Sequence, residues 1–339
     1  MRAVVLAHDH FPDRAKTALG VMRYSDYDIA GVLDQENAGA TANDFLDDLD
    51  EVPIVEDASE IESADVLIIG ISVMGGNFDS SWRDDVTTAL ERGWDVISGL
   101  HTFLNEDAEF RALAEENDCD IRDVRKPPDD LGVSDGAAAD VDAEVILTVG
   151  TDCSIGKMTS TMELCGTARE MGYDAAVIPT GQTGIIVEGW GNPIDRVVSD
   201  FVAGAVEEMI VEKGSEHDYL FVEGQGSISH PSYSGVTCGI LHGSMPDKLV
   251  LCHESNREAV HGFPDTPLPS PGAFGELYES LCDPVQPAKV VAGALNTSQI
   301  EDDRKARRAV EEYEAEIGSP ATDPVRFSTR ETVRTILES

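Results

Sequence analysis

The chain has 339 residues, 41% of them hydrophobic, with 65 Asp and Glu against 24 Lys and Arg for a formal net charge of −41. That length suits two domains and that apolar content suits ordinary buried cores, and acids spread over both halves exclude an acidic tail or a disordered acidic chain. No basic face is visible, so nucleic acid is not an expected partner.

In chain order, "AVVLA" (3–7) reads as a buried strand running straight into charged "HDHFPD". That apolar stretch is too short for a secretory leader. His8 to His10 read as loop polarity, since no third ligand lies at a telling spacing. "DRAKTALGVMRY" (13–24) has helical spacing, "DIAGVLD" (28–34) is a second strand, and "ADVLIIGIS" (64–72) is a third. "SSWRDDVTTALERG" (80–93) reads as a helix, "WDVISGL" (94–100) as a strand and "NEDAEFRALAEEN" (105–117) as a helix. Such alternation implies a parallel, doubly wound sheet.

It lapses in a Pro- and Gly-rich stretch, predicting a domain over 1–126, a linker over 127–143 and a second domain over 144–339. The second half resumes with strand "VILTVG" (145–150), a glycine loop, and helix "MTSTMELCGTAREMG" (158–172). Strand "DAAVIP" follows, then loop "TGQTG" and a helix within 194–212. Strands "YLFVEGQG" (219–226), "DKLVLCHE" (247–254) and "KVVAGALN" (289–296) precede a closing helix. No run approaches the ~18 apolar residues of a membrane span. The six cysteines (119, 153, 165, 238, 252 and 282) form no C-x-x-C, which suits reduced thiols better than disulfides or zinc. A cytoplasmic protein with no membrane partner and no metal ligand set is the expectation. Its charge fits adaptation to molar salt, where the screening length falls to about 3 Å.

The glycine loop, "VGTDCSIGKMT", carries the chemistry. Gly150, Thr151, Asp152, Cys153, Ser154, Ile155, Gly156 and Lys157 lie between an apolar strand and an amphipathic helix. That is the context of a phosphate-binding loop, where backbone N–H groups, a helix N-terminus and a lysine meet an anion. One position is irregular: Met158 stands where a Ser or Thr usually holds Mg²⁺, and Thr159 comes one residue late. Glu223, ending a buried strand in "FVEGQGS", should face the same crevice. It would serve as a Mg²⁺ or water ligand, as a base, or more plainly as an acceptor for turn N–H groups. Thr180, Gln182 and Thr183 offer neutral donors, and Asn296 an amide able to read a purine edge. Gly75, Gly76 and His101 follow strands and are candidates to line a cleft.

"GTDCSIGK" with "VEGQG" resembles the dethiobiotin synthetase branch of P-loop proteins. The whole chain resembles more closely the family called domain of unknown function 1611, through "AKTALGVMRY", "VLDQENAG", "SGLHTFL", "DVRKPP", "GTDCSIGKMT", "PTGQTGI", "VEGQGSISHP", "VLCHE" and "PATDPVRFSTRETV". That resemblance implies an N-terminal Rossmann-like domain, a C-terminal P-loop NTPase-like domain, and acetylation of D-glutamate from acetyl-CoA. The loop would cradle the coenzyme phosphates without a metal, so the missing hydroxyl at position 158 does no harm. Glu223 and His230 are the candidate bases, and N–H groups near Gly224 to Ser227 the oxyanion donors. His230 is equally readable as a loop histidine bonded to a carbonyl. Arg125, Lys126 and Arg196 are possible partners for substrate carboxylates. The expected partners are thus a small-molecule substrate and further copies of the chain in a homo-oligomer. The alternatives are a Mg-ATP-dependent kinase or ligase of the dethiobiotin synthetase type, and a nucleotide-sensing protein without turnover.

Overall fold

In the computed structural model, which describes residues 1–71 and 76–338, the chain divides into two units. The first comprises Met1–Pro127 with Gln182–Arg196, and the second Pro128–Gly181 with Val197–Ser339.

The first unit is built from β1 (Arg2–Leu6), α1 (Lys16–Tyr24), β2 (Asp28–Leu33), β3 (Ile54–Val55), β4 (Val66–Ile69), α2 (Arg83–Glu91), β5 (Asp95–Ser98), α3 (Ala108–Asn117) and β6 (Ile121–Asp123). The strands form one parallel sheet ordered β3-β2-β1-β4-β5-β6. Both faces of such a sheet are covered, so its strands read as continuous apolar runs, and successive side chains enter opposite cores. Val4 and Leu6 of β1 join Trp82 and Phe110, whereas Ala3 and Val5 join Ala18, Ile185 and Ile186.

The last two residues come from the second half of the sequence. After β7 (Glu144–Gly150), α4 (Lys157–Glu170) and β8 (Ala175–Ile178), the chain forms α5 (Gln182–Glu188), which packs on α1 in the first unit. Burying Ile185 and Ile186 contributes roughly 1.5–3 kcal/mol each. Thr17 and Thr183 hydroxyls bond at 2.9 Å in the same contact. The stretch 182–196, expected within the second domain, is therefore part of the first unit's core.

The second unit continues through α6 (Val202–Gly214), β9 (Tyr219–Val222), α7 (Ser234–Ser244), β10 (Lys248–Glu254) and a hairpin of β11 (Ala259–Val260) with β12 (Phe263–Pro267). It closes with α8 (Pro271–Cys282), β13 (Lys289–Asn296), α9 (Asp303–Ile317), β14 (Ala321–Thr322) and α10 (Arg330–Glu338). Its parallel sheet is ordered β14-β13-β10-β7-β9-β8, so β7 is central and its loop opens at the carboxyl ends of the strands. Among the described residues no helix is long and apolar enough to cross a membrane.

Candidate anion-binding site

The turn from β7 into α4 is wound by two left-handed residues, Ser154 (φ +54°) and Gly156 (φ +103°), which concentrate N–H groups on one side. No side chain caps α4, so its first-turn N–H groups face the loop with the positive end of the helix dipole. Lys157 is nearly buried and folds back along the loop, its Nζ donating to Asp152 O at 2.7 Å. A Cβ at Gly150 would meet Lys157 Nζ at 3.1 Å and Ile155 Cδ1 at 2.8 Å, so the lysine runs close over the glycine.

Met158 is 4% exposed and Ile155 1%, both part of the loop's apolar footing. Thr159 is half-buried one residue further on. Successive helical residues are rotated by about 100°, so the Thr159 hydroxyl does not take the direction Met158 leaves. The threonine that does engage the loop's base is Thr161. Its hydroxyl bonds Lys157 O and Thr148 Oγ1, both at 2.9 Å.

Thr151 and Asp152 are fully buried and serve as anchors. Thr151 Oγ1 bonds His253 Nδ1 at 2.8 Å, and Ser227 donates to Thr151 O at 3.0 Å. Asp152 Oδ1 accepts Cys153 N–H at 2.8 Å, and Oδ2 accepts His261 N–H, on the β11–β12 hairpin, at 2.7 Å. Arg257 Nη1 lies 3.8 Å from Asp152 Oδ2 while the same guanidinium pairs with Glu254. The aspartate thus fastens the hairpin over the loop. Burial, helped by Arg257 and opposed by Asp152, pushes His253 down to about 4, so it is neutral near pH 7. Beneath the loop, the buried Tyr278 hydroxyl donates to Gly150 O at 2.8 Å and accepts Ile228 N–H at 3.1 Å. Burial raises that phenol to about 12.

Glu223 is 2% exposed, and its carboxylate accepts Thr180 N–H (3.2 Å), Gly181 N–H (3.1 Å) and the Gln225 amide (2.9 Å). This is the plainer of the sequence readings: the side chain organises the turn after β8. Gly224 N–H, expected as an oxyanion donor, bonds Thr148 Oγ1 at 3.0 Å instead. A Cβ at Gly224 would lie 1.8 Å from Thr148 O, so no other residue fits.

His230 is likewise the carbonyl-bonded histidine. Its Nε2 bonds His261 O at 3.1 Å and its Nδ1 accepts Ser232 N–H at 3.1 Å, so both ring nitrogens are engaged. The ring stacks on Tyr233 and meets Phe263 edge-on. Ligand atoms of Asp152, Cys153 and His230 lie within 4.8 Å of one another, a grouping that could hold a metal ion. Two of these side chains already bond the hairpin, Asp152 through His261 N–H and His230 through His261 O.

Of the remaining candidates, Asn296 reaches the loop: a Cβ on Gly156 would come within 3.9 Å of its Nδ2, while its Oδ1 accepts Ser298 N–H. Gln182 opens α5 in the first unit, its side chain against Gly99. Gly76 packs against His101 in that unit, and Gly75 lies outside the described residues. The sequence reading missed His253, Arg257 and His261; a histidine ending the apolar strand "VLCHE" was the available signal. It also missed that His8, 3% exposed, bonds Asp85 at 2.8 Å in the first unit.

Residues 35–127 match the profile of a DUF1611 N-terminal Rossmann-like domain, and residues 132–333 that of the DUF1611 P-loop domain. A D-glutamate N-acetyltransferase of Tritonibacter scottomollicae is 34% identical over 313 residues, 92% of this chain and 91% of that protein. A D-glutamate N-acetyltransferase of a Pseudoalteromonas species is 34% identical over 78% of each chain. The crystal structure of a DUF1611 family protein from Anabaena variabilis superposes with a TM-score of 0.95 at 35% identity, covering 100% of this chain and 99% of that one.

Proposed function

The chain belongs to the DUF1611 family, and from that premise we propose that it is an N-acetyltransferase that acetylates D-glutamate, or a similar acidic amino acid, from acetyl-CoA. The observation that carries the choice of coenzyme is the buried Met158 in an otherwise complete anion cradle. Phosphoryl transfer needs a metal bridging the β- and γ-oxygens, held in such loops by a hydroxyl at this position. A coenzyme A diphosphate needs only N–H groups and a cation, which the α4 N-terminus and Lys157 supply.

In this reading the coenzyme supplies an activated acetyl thioester, and the residues of the second unit bind and orient it. Lys157 leaves Asp152 O for a phosphate oxygen. The hairpin fastened by Asp152 covers the loop and limits water. Glu223 and His230 act as positioning residues: one holds the turn after β8, the other the hairpin through His261. One of the two also takes the amine's proton, giving up one of these bonds to do so.

Calorimetric titration of the whole protein with acetyl-CoA and with Mg-ATP tests the assignment. Tighter binding of acetyl-CoA, undiminished by EDTA, is expected. Binding of Mg-ATP alone, abolished by EDTA, would favour the ligase reading and overturn this one.

A further inference from the structure

In a chain with 65 acidic and 24 basic residues, guanidinium groups should be saturated with carboxylates. Among the described residues several arginines of the first unit make no ion pair, and one of these adjoins a second arginine. Arg196 lies over the Phe103 ring, 5.0 Å from its centroid, and makes no ion pair among the described residues. Beside it, nearly buried Arg125 donates through Nε to Gly99 O at 2.6 Å and through Nη1 to His101 Nε2 at 3.0 Å and to Asp195.

Gly99 and His101 continue from β5 and Arg125 from β6, so the cluster sits at the carboxyl ends of the strands, where ligands of open parallel sheets bind. Asp195 and Arg196 come from the short turn Ile194–Arg196, in the stretch that joins this unit from the second half of the sequence. Burial, then the fields of Arg125 and Arg196, push His101 down to about 4, so the imidazole is neutral and the local charge is two cations against one anion.

We propose that Arg125, Asp195 and Arg196 form the seat of an acidic amino acid, with the guanidinium groups taking its two carboxylates and Asp195 its ammonium. The charges match one for one: two carboxylates and an ammonium on the ligand, two guanidinium groups and a carboxylate on the protein. Planar guanidinium groups hold carboxylates in a fixed orientation, and charge-assisted bonds are the strong class. Asp195 pairs with Arg125 and moves to the ammonium when a ligand carboxylate replaces it. The identity of the ligand rests on the acetyl-acceptor reading above, but its binding does not require the coenzyme.

The test uses the intact protein without coenzyme, titrated with D-glutamate and with glutarate, which lacks the ammonium. Arg196→Ala removes an exposed side chain and is expected to weaken D-glutamate by ~10-fold or more, the loss of one charge-assisted bond. Asp195→Asn is expected to weaken D-glutamate but not glutarate. Carboxylates beside Arg125 and Arg196 offset the field on His101, so D-glutamate should move its NMR titration upward from about 4. Unchanged affinity in Arg196→Ala with an unmoved His101 would overturn the proposal, as would wild-type protein that binds neither compound. If D-glutamate binds and moves His101 but no acetylated product forms, the seat stands and only the acetyltransferase reading fails. If product forms with an unchanged KM in Arg196→Ala, only the seat fails.

Discussion

His253 gives the most quantitative prediction about the anion loop. Its ring ends β10, bonds Thr151 at 2.8 Å and lies over Tyr313, with Arg257 close enough to disfavour a second charge. The shift from 6.5 to about 4 corresponds to about 3 kcal/mol against the charged form. Above about pH 6.5 the ring is neutral folded or unfolded, and the full stability is present. Between 6.5 and about 4 the unfolded chain takes up a proton that the folded one refuses, so stability falls as pH falls. The assay is a carbon-edited NMR titration of the imidazole signals in molar KCl, with His253→Gln supplying the assignment. A midpoint near 4 is expected, and the glutamine variant should lose part of the wild type's acid sensitivity in denaturant unfolding. A midpoint at 6.5 or above would refute the packing argument, because neither burial nor Arg257 could then act on the ring.

Three other perturbations separate anchoring from binding. Met158→Thr should leave acetyl transfer no faster and lower stability by roughly 1–3 kcal/mol, since a buried thioether side chain is lost; thermal melting and turnover check both. Glu223→Gln keeps an oxygen for the Thr180 and Gly181 N–H groups, which share Oε2, but sets its NH2 against the Gln225 amide that now donates to Oε1. Destabilisation of about 1–3 kcal/mol in denaturant titration is expected, and a variant as stable as wild type would count against the anchoring role. The charge of −41 predicts melting that falls steeply from molar to ~0.1 M KCl; a temperature indifferent to salt would contradict the halophilic reading.

The interior strands were legible because burial on both faces leaves uninterrupted apolar runs: β1, β4, β7, β10 and β13 all read as strands from composition alone. The edge strands β3, β6 and β14 were not, since two or three residues carry no measurable periodicity. Helix α5 was hidden by "TGQTG", which reads as a turn, and its docking in the first unit has no local signature at all. The hairpin over the loop escaped for a related reason. Every residue of β12 is exposed, so no alternation marks it, and its attachment runs through the His261 backbone. The strand-to-helix loop itself was legible from Gly150, Gly156 and Lys157. The choice between the readings offered for Glu223 and His230 was not. A carboxylate or imidazole at a strand end looks the same in sequence whether its partners are substrate atoms or the turn's own N–H groups.

The central claim is that the Met158 loop serves an acetyl donor and no metal-bound nucleotide. Its most direct measurement incubates wild type and Lys157→Ala with acetyl-CoA and D-glutamate in EDTA, with product followed by mass spectrometry and fold by circular dichroism. N-acetylated D-glutamate is expected from the wild type, little or none from a folded Lys157→Ala, and no rescue by Mg-ATP. D-glutamate-dependent release of ADP from Mg-ATP, with no acetylated product from acetyl-CoA, would contradict it.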